Sequence, residues 1–384
     1  MNMGKDESVV KAKNLSFDEF KKIVLEDYKL INVSRQASLL GRKEVLTGKA
    51  KFGIFGDGKE LAQVAMSKVF KKGDFRSGYY RDQTFMFAIE ALTVQQWFAG
   101  LYGHTDISHE PMSAGRQMGG HFGTHSLDDN GNFKEIVDQK NSSSDISPTA
   151  GQMPRLLGLA YASHFYRINS DLHKSPYTKF SNKGNEVAFG TIGDASTSEG
   201  LFWETINAAG VLQVPMLISV WDDGHGISVP KKYQTTKESI SEVLKGFQRT
   251  EDGKGYEIFK TKGWDYTHLY ETYEKAVKVC REQHVPVLVH VEEVTQPQGH
   301  STSGSHERYK SKERLQWESD YDCIRQMKTW IINNALSSEE ELFKIEEEAK
   351  EFVTKNAKIK AAKTKHEPAS PCAATNSNGN AKIP

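Results

Sequence analysis

Apolar residues at Phe20, Ile23, Val24, Tyr28 and Ile31 recur three and four apart, which gathers them on one face of a helix. Ser16 followed by Glu19 has the spacing of a capping box, so the chain is predicted to enter a long helix just after Ser16. Leu156, Leu157, Leu159, Ala160 and Ala162, between Met153 and Phe165, predict a helix buried on most sides and opening just after Pro154. Further on the pattern changes to short unbroken apolar runs. Val187–Ile192, Val214–Trp221 and Pro286–Val291 read as strands covered on both faces, and the intervening stretches Glu199–Gly210 and Tyr270–Gln283 read as helices. Alternating strands and helices imply parallel strands joined by right-handed crossovers, with a ligand crevice at their carboxyl ends and the sheet starting near Val187.

The rest of the chain is less periodic. Residues 101–150 are rich in Gly, Ser, Asp, Asn and His, a long irregular stretch of the kind that usually carries function. Ser311–Val353 carries charged helices, whereas residues 354–384 are Lys-, Ala-, Ser- and Asn-rich and are expected to be a disordered tail or linker. With residues 1–15 read as a flexible start, residues 16–353 form the expected domain. Fifty Lys and Arg balance fifty Asp and Glu, so no overall positive field would draw the chain to nucleic acid or an anionic membrane. The longest apolar run, Val214–Trp221, is far short of a membrane span, and the N-terminal sequence has no apolar stretch of a signal peptide. Cys280, Cys323 and Cys372 lie too far apart for ligand-type spacing, which fits a reduced, cytoplasmic setting.

The sharpest chemical signal stands where the first of those strands ends. Gly193, Asp194, Ala195 and Ser196 form a polar turn leading toward a helix, and glycine there lets the backbone approach a phosphate. The strand Val214–Trp221 ends in Asp222 and Asp223, followed by Gly224 and His225. If the two strands are neighbours, Asp194 and Asp223, 29 positions apart, together with the carbonyl near His225, could coordinate one Mg²⁺ that bridges a diphosphate. Taken singly, each Asp could equally be a helix cap.

The arrangement resembles the thiamine diphosphate motif, Gly-Asp-Gly followed about thirty residues later by Asn-Asn. Ala195 replaces the last glycine, and Asp222-Asp223 replaces the amide pair, adding negative charge. A second Gly-Asp-Gly, at Gly56-Asp57-Gly58, has no acidic or amide pair some thirty residues on and reads as a turn. From about residue 20 to about residue 350 the chain resembles the alpha chain of the decarboxylating component of 2-oxo acid dehydrogenase complexes. Tyr80-Arg81 matches the pair that contacts the diphosphate, and Gly115-Arg-Gln-Met118 followed by His121 matches a loop of branched-chain members. Ser147 and Thr149 lie in the segment whose backbone holds the aminopyrimidine ring. His300, in Gly-His-Ser-Thr-Ser, matches the mobile active-site loop, with Tyr309 following and Ser301 at a position phosphorylated in some relatives.

The resemblance implies an α/β thiamine diphosphate-binding fold, a mainly parallel sheet flanked by helices, with helical extensions at both ends. It also implies thiamine diphosphate and Mg²⁺ as cofactors, decarboxylation of a small 2-oxo acid with His300 as the catalytic imidazole, and acyl transfer to a lipoyl-bearing acyltransferase. A beta-type chain, separate or fused as a C-terminal half, would complete the site in an α₂β₂ assembly or its fused equivalent. Relatives carry an arginine near Gln296-Pro297-Gln298, and branched-chain ones another at Trp221. Their loss should weaken diphosphate binding unless a lysine or a partner compensates. Transketolase-like group transfer and a non-catalytic packing chain are the alternatives.

Overall fold

The computed structural model describes residues 15–250 and 253–358. Residues 1–14 of the expected flexible segment 1–15, most of the expected tail and Cys372 lie outside the described residues. Helix α1 (Phe17–Leu46) begins as expected: the Ser16 hydroxyl accepts from the Glu19 N–H while the Glu19 carboxylate accepts from the Ser16 N–H. Its buried stripe, Val24, Tyr28 and Ile31 among others, packs on α2 (Glu60–Val69), α3 (Gln83–Ala88) and α4 (Val94–Tyr102). Eight consecutive residues of α2, Glu60 to Ser67, are buried, so this helix runs through the interior.

Six parallel strands form the sheet in the order β2-β1-β3-β4-β8-β7. These are β1 (Phe75–Ser77), β2 (Asn141–Ser142), β3 (Ala188–Gly193), β4 (Met216–Trp221), β7 (Glu257–Lys262) and β8 (Val287–Glu292). A separate hairpin pairs β5 (His225–Gly226) with β6 (Val229–Pro230). The three strands predicted from apolar runs are the sheet's centre, within two residues of the expected ends. The sheet does not start near Val187, however: β1 and β2 precede it, and β7 closes the far edge. Those three are too short or too charged to produce an apolar run.

Helices cover both faces. Phe189, Leu217, Val287 and Val289 point to the side covered by α2 and α7 (Tyr266–Gln283), while Ile192, Met216, Ile218 and Leu288 point to α5 (Gln152–Ile168) and α6 (Gly200–Leu212). Burying each such side chain is worth about 1.5–3 kcal/mol before chain entropy, so this double-faced core dominates the fold. Helix α5 departs from expectation in two ways. It opens at Gln152, with Pro154 in the first turn where its missing N–H costs nothing. It is also buried on one face only, through Met153, Leu156, Ala160 and Ser163, with Ala162 exposed. Gly190 of β3 permits the close approach of α5, since a Cβ there would lie 2.1 Å from a Leu156 methyl.

Helix α7 starts at Tyr266, four residues earlier than expected, because Asp265 caps it by accepting from the His268 N–H. The charged C-terminal helices α8 (Lys312–Asp320), α9 (Cys323–Asn333) and α10 (Glu339–Asn356) are present, the last running three residues past the expected boundary at Val353. Cys280 and Cys323 are buried free thiols. No described helix is long and apolar enough to cross a membrane.

Candidate active site

The register aligns Gly193 with Trp221 and Trp221 with Val291, so β3, β4 and β8 end level with one another. Backbone bonds tie the three exits together: Asp194 N–H donates to Trp221 O, Asp222 N–H to Val291 O, and Val294 N–H to Asp222 O. This juxtaposes the acids of two separate motifs. A 3₁₀ turn, Ala195–Ser198, follows Asp194 before α6 begins, and Ala195 packs against Gly226 of the β5–β6 hairpin.

Asp194 is 5% exposed and its Oδ2 atom is buried without a hydrogen-bond partner. Burial first, then the nearby Asp223 and Asp222 carboxylates, push its carboxyl well above the usual range. An unpaired buried carboxylate costs several kcal/mol, so this atom is built to meet a cation or a proton. The other two acids are already compensated. Asp222 accepts from Lys231 Nζ at 2.9 Å and pairs with His290 Nε2 at 3.0 Å. Burial opposes its charge, but His290 and Lys231 hold it down at about 2. Asp223 accepts from Lys59 Nζ at 3.2 Å and from the His225 N–H at 3.1 Å. Burial again opposes, yet Lys59, Arg81 and Lys310 keep its carboxyl below the ordinary value.

A small cleft lies beside this cluster, lined among others by Asp223, His225, Gln296, His300, Tyr309 and Lys310. Arg81, 4% exposed, donates to the carbonyls of Phe55 (2.7 Å) and His300 (3.1 Å), and its guanidinium lies 5.4 Å from the Tyr80 ring centroid. Only neutral carbonyls hold that cation directly. Burial, with Arg81 next, drives His300 down to about 4, so its imidazole is neutral at pH 7. Thr295 Oγ1, Gln296 Nε2 and both side-chain polar atoms of Gln298 are likewise buried without partners. Unsatisfied donors and acceptors concentrated at one sheet edge are what a polar ligand would satisfy.

Asp194, Asp223, His225, His300 and Arg81, with Tyr80 on its guanidinium, thus come together. Ser147 and Thr149 are exposed, and Ser147 Oγ instead meets His121 Nε2 at 2.8 Å. Their segment reaches the sheet through Gln152, whose amide donates to Thr191 O. The loop carrying Gly115-Arg-Gln-Met118 is held by Glu110, which accepts from the N–H groups of Met112, Ser113 and Gly115. Among the described residues no three His, Cys, Asp or Glu side chains are grouped closely enough to hold a metal by themselves. A metal here would therefore rest on Asp194, Asp223 and backbone oxygen, a hard-donor set that suits Mg²⁺.

Sequence reasoning missed Lys59. It also missed Lys231, Lys310 (donating to Glu318 at 2.7 Å) and Arg314 (donating to Asp223 O at 2.7 Å), so the site is richer in cations than expected from the lost arginines. The one available signal was that Lys59 follows the second Gly-Asp-Gly.

The family described as dehydrogenase E1 component matches residues 29–369. The chain is 25% identical over 295 residues to the 2-oxoisovalerate dehydrogenase subunit alpha of Bacillus subtilis, covering 77% of each chain. It is 24% identical over 305 residues to the mitochondrial 2-oxoisovalerate dehydrogenase subunit alpha 1 of Arabidopsis thaliana, covering 79% of this chain and 56% of that one. To the pyruvate dehydrogenase E1 component subunit alpha of Rickettsia bellii it is 24% identical over 202 residues, covering 53% and 54%. The chain thus spans about three quarters of the first relative and about half of the other two.

Proposed function

The chain belongs to the dehydrogenase E1 component family, and from that premise we propose that it is the alpha component of a thiamine diphosphate-dependent 2-oxo acid dehydrogenase. The branched-chain 2-oxo acids are favoured over pyruvate, a preference supported by the names of the first two relatives. The observation that carries the proposal is the unpartnered, buried Asp194 carboxyl at the end of β3, with Asp223 at the end of the adjacent β4. Asp194, Asp223 and the His225 carbonyl hold Mg²⁺, and Gly193, Ala195 and Ser196 give the diphosphate room against the backbone.

Bound there, thiamine diphosphate supplies the carbon nucleophile that adds to the keto carbon and accepts the electrons released with CO₂. The remaining work falls to the protein. Arg81, fixed by two carbonyls and flanked by Tyr80, offers its charge to a phosphate oxygen. Ser147 and Thr149 line the aminopyrimidine segment. The neutral His300 imidazole beside Asp223 is placed to accept or donate a proton at a ring nitrogen. A beta-type chain, separate or continuous with this one, supplies the acid beside the pyrimidine ring, and a lipoyl-bearing acyltransferase takes the acyl group. The assembly is an α₂β₂ heterotetramer or its fused equivalent, in the cytoplasm.

Isothermal titration of thiamine diphosphate with Mg²⁺ into the chain, with and without the beta-type partner, tests this. Saturable binding that Asp194→Ala abolishes supports the proposal. Absence of binding in every combination overturns it and leaves a chain that packs on a catalytic partner.

A further inference from the structure

We infer that Lys59 is a built-in counter-ion for the metal site: buried against Asp223, it gives that position the net charge of an uncharged amide while leaving a carboxylate oxygen as ligand. The inference rests on the Mg²⁺–diphosphate reading above and concerns how that site tolerates its acids.

Lys59 is 2% exposed, and its ammonium donates to three acceptors: Asp223 Oδ2 at 3.2 Å, Gln296 Oε1 at 2.8 Å and Thr295 O at 3.3 Å. Three donors meet three acceptors, so the group is saturated and held in place. The turn that delivers it is equally constrained. Gly58 has φ +85°, and a Cβ there would lie 2.0 Å from Thr295 O. Asp57 Oδ2 accepts from the Gln298 N–H at 3.0 Å, locking the same turn to the loop after β8.

Three carboxylates, Asp194, Asp222 and Asp223, otherwise face one another here, and a diphosphate would add to the repulsion. Asp222 is answered by Lys231 and His290. Lys59 answers Asp223, leaving Asp194 as the one acid whose charge the metal must satisfy. Lys59 is thus a positioning residue that sets the metal site's charge, and Gln296, at the stretch where relatives carry an arginine, is its second acceptor.

The test uses Mn²⁺ as a paramagnetic probe, titrated with thiamine diphosphate into the full chain and its partner and followed by electron paramagnetic resonance. Asp223→Asn leaves the ammonium uncompensated and is expected to weaken Mn²⁺ binding about tenfold or more. Adding Lys59→Met to it is expected to restore affinity to within about threefold of the unaltered protein. The double variant has no unpaired charge at this pair, so it reports even where Lys59→Met alone does not fold. A purely structural Lys59 predicts the opposite sign, a further loss on top of Asp223→Asn, and that result overturns the inference. If the unaltered protein shows no Mn²⁺ binding, the functional reading fails and takes the inference with it; if it binds and the double variant is not restored, only the inference fails.

Discussion

Two Gly-Asp turns stand near each other at one edge of this sheet and do opposite things. At Gly193-Asp194-Ala195 the acid ends a six-residue buried strand and one of its oxygens has no partner. At Gly56-Asp57-Gly58 the acid is just as buried, but it accepts from the Gln298 N–H, and the turn's product is the lysine after it. The glycines differ too. Gly193 is in extended strand with room for a methyl, its Cβ meeting nothing closer than Tyr79 Oη at 3.6 Å, whereas Gly58 has left-handed backbone against a carbonyl. A shared tripeptide therefore says little about a site; what matters is whether the carboxylate's lone pairs are already spoken for.

Removing the unpaired acid is the severest way to break this contrast. Asp194→Ala should lower affinity for Mg²⁺ and thiamine diphosphate by more than about a hundredfold, yet raise the stability of the ligand-free protein by about 1–3 kcal/mol, because an unsatisfied buried carboxyl is gone. Calorimetric titration and a denaturant melt read both, and unchanged binding refutes the assignment. Gly58→Ala should instead attack the fold, costing roughly 3 kcal/mol in chemical denaturation through the clash with Thr295 O. Gly193→Ala is the mirror experiment: stability within about 1 kcal/mol, but cofactor affinity down about tenfold as the methyl crowds the phosphate approach. If both glycine variants behave alike, the distinction between the turns collapses.

The smallest expected effect on catalysis is in pH. Because His300 is held near 4, decarboxylation should show no inflection from this residue between about pH 6 and 8. For stability the sign follows from linkage: as pH falls below the ordinary ~6.5, the unfolded chain takes up the proton first, so His300 costs stability progressively until about pH 4 and adds no further loss below it. An imidazole NMR titration with its midpoint at 6.5 would contradict this.

The sheet's centre was legible because β3, β4 and β8 are covered on both faces and leave unbroken apolar runs; so was α1, whose capping box is local. Edge strand β7, Glu257–Lys262, was not, since Glu257, Lys260 and Lys262 leave only the pair Ile258-Phe259 as an apolar run, and three-residue β1 is too short to show a period. In the site, Asp194 and Asp223 were readable because the βαβ rule places consecutive strand ends together. Lys59 was not: its contact with Asp223 spans 164 residues and follows no crossover rule. Ser147 was expected in the aminopyrimidine segment, and its bond to His121 depends on how the irregular 101–150 region folds back, which no periodicity encodes.

The pairing of the first described helix with the last has a consequence during synthesis. Lys29 on α1 reaches Glu348 on α10, and Tyr28 reaches Glu346, so the side of α1 that meets α10 waits through roughly three hundred residues of translation for its cover, whereas the side against α2, α3 and α4 is covered early. At about 5–20 residues per second that is a delay of some fifteen to sixty seconds. Nascent chains halted before α10 emerges should accordingly bind chaperones, and those extended past it should let go.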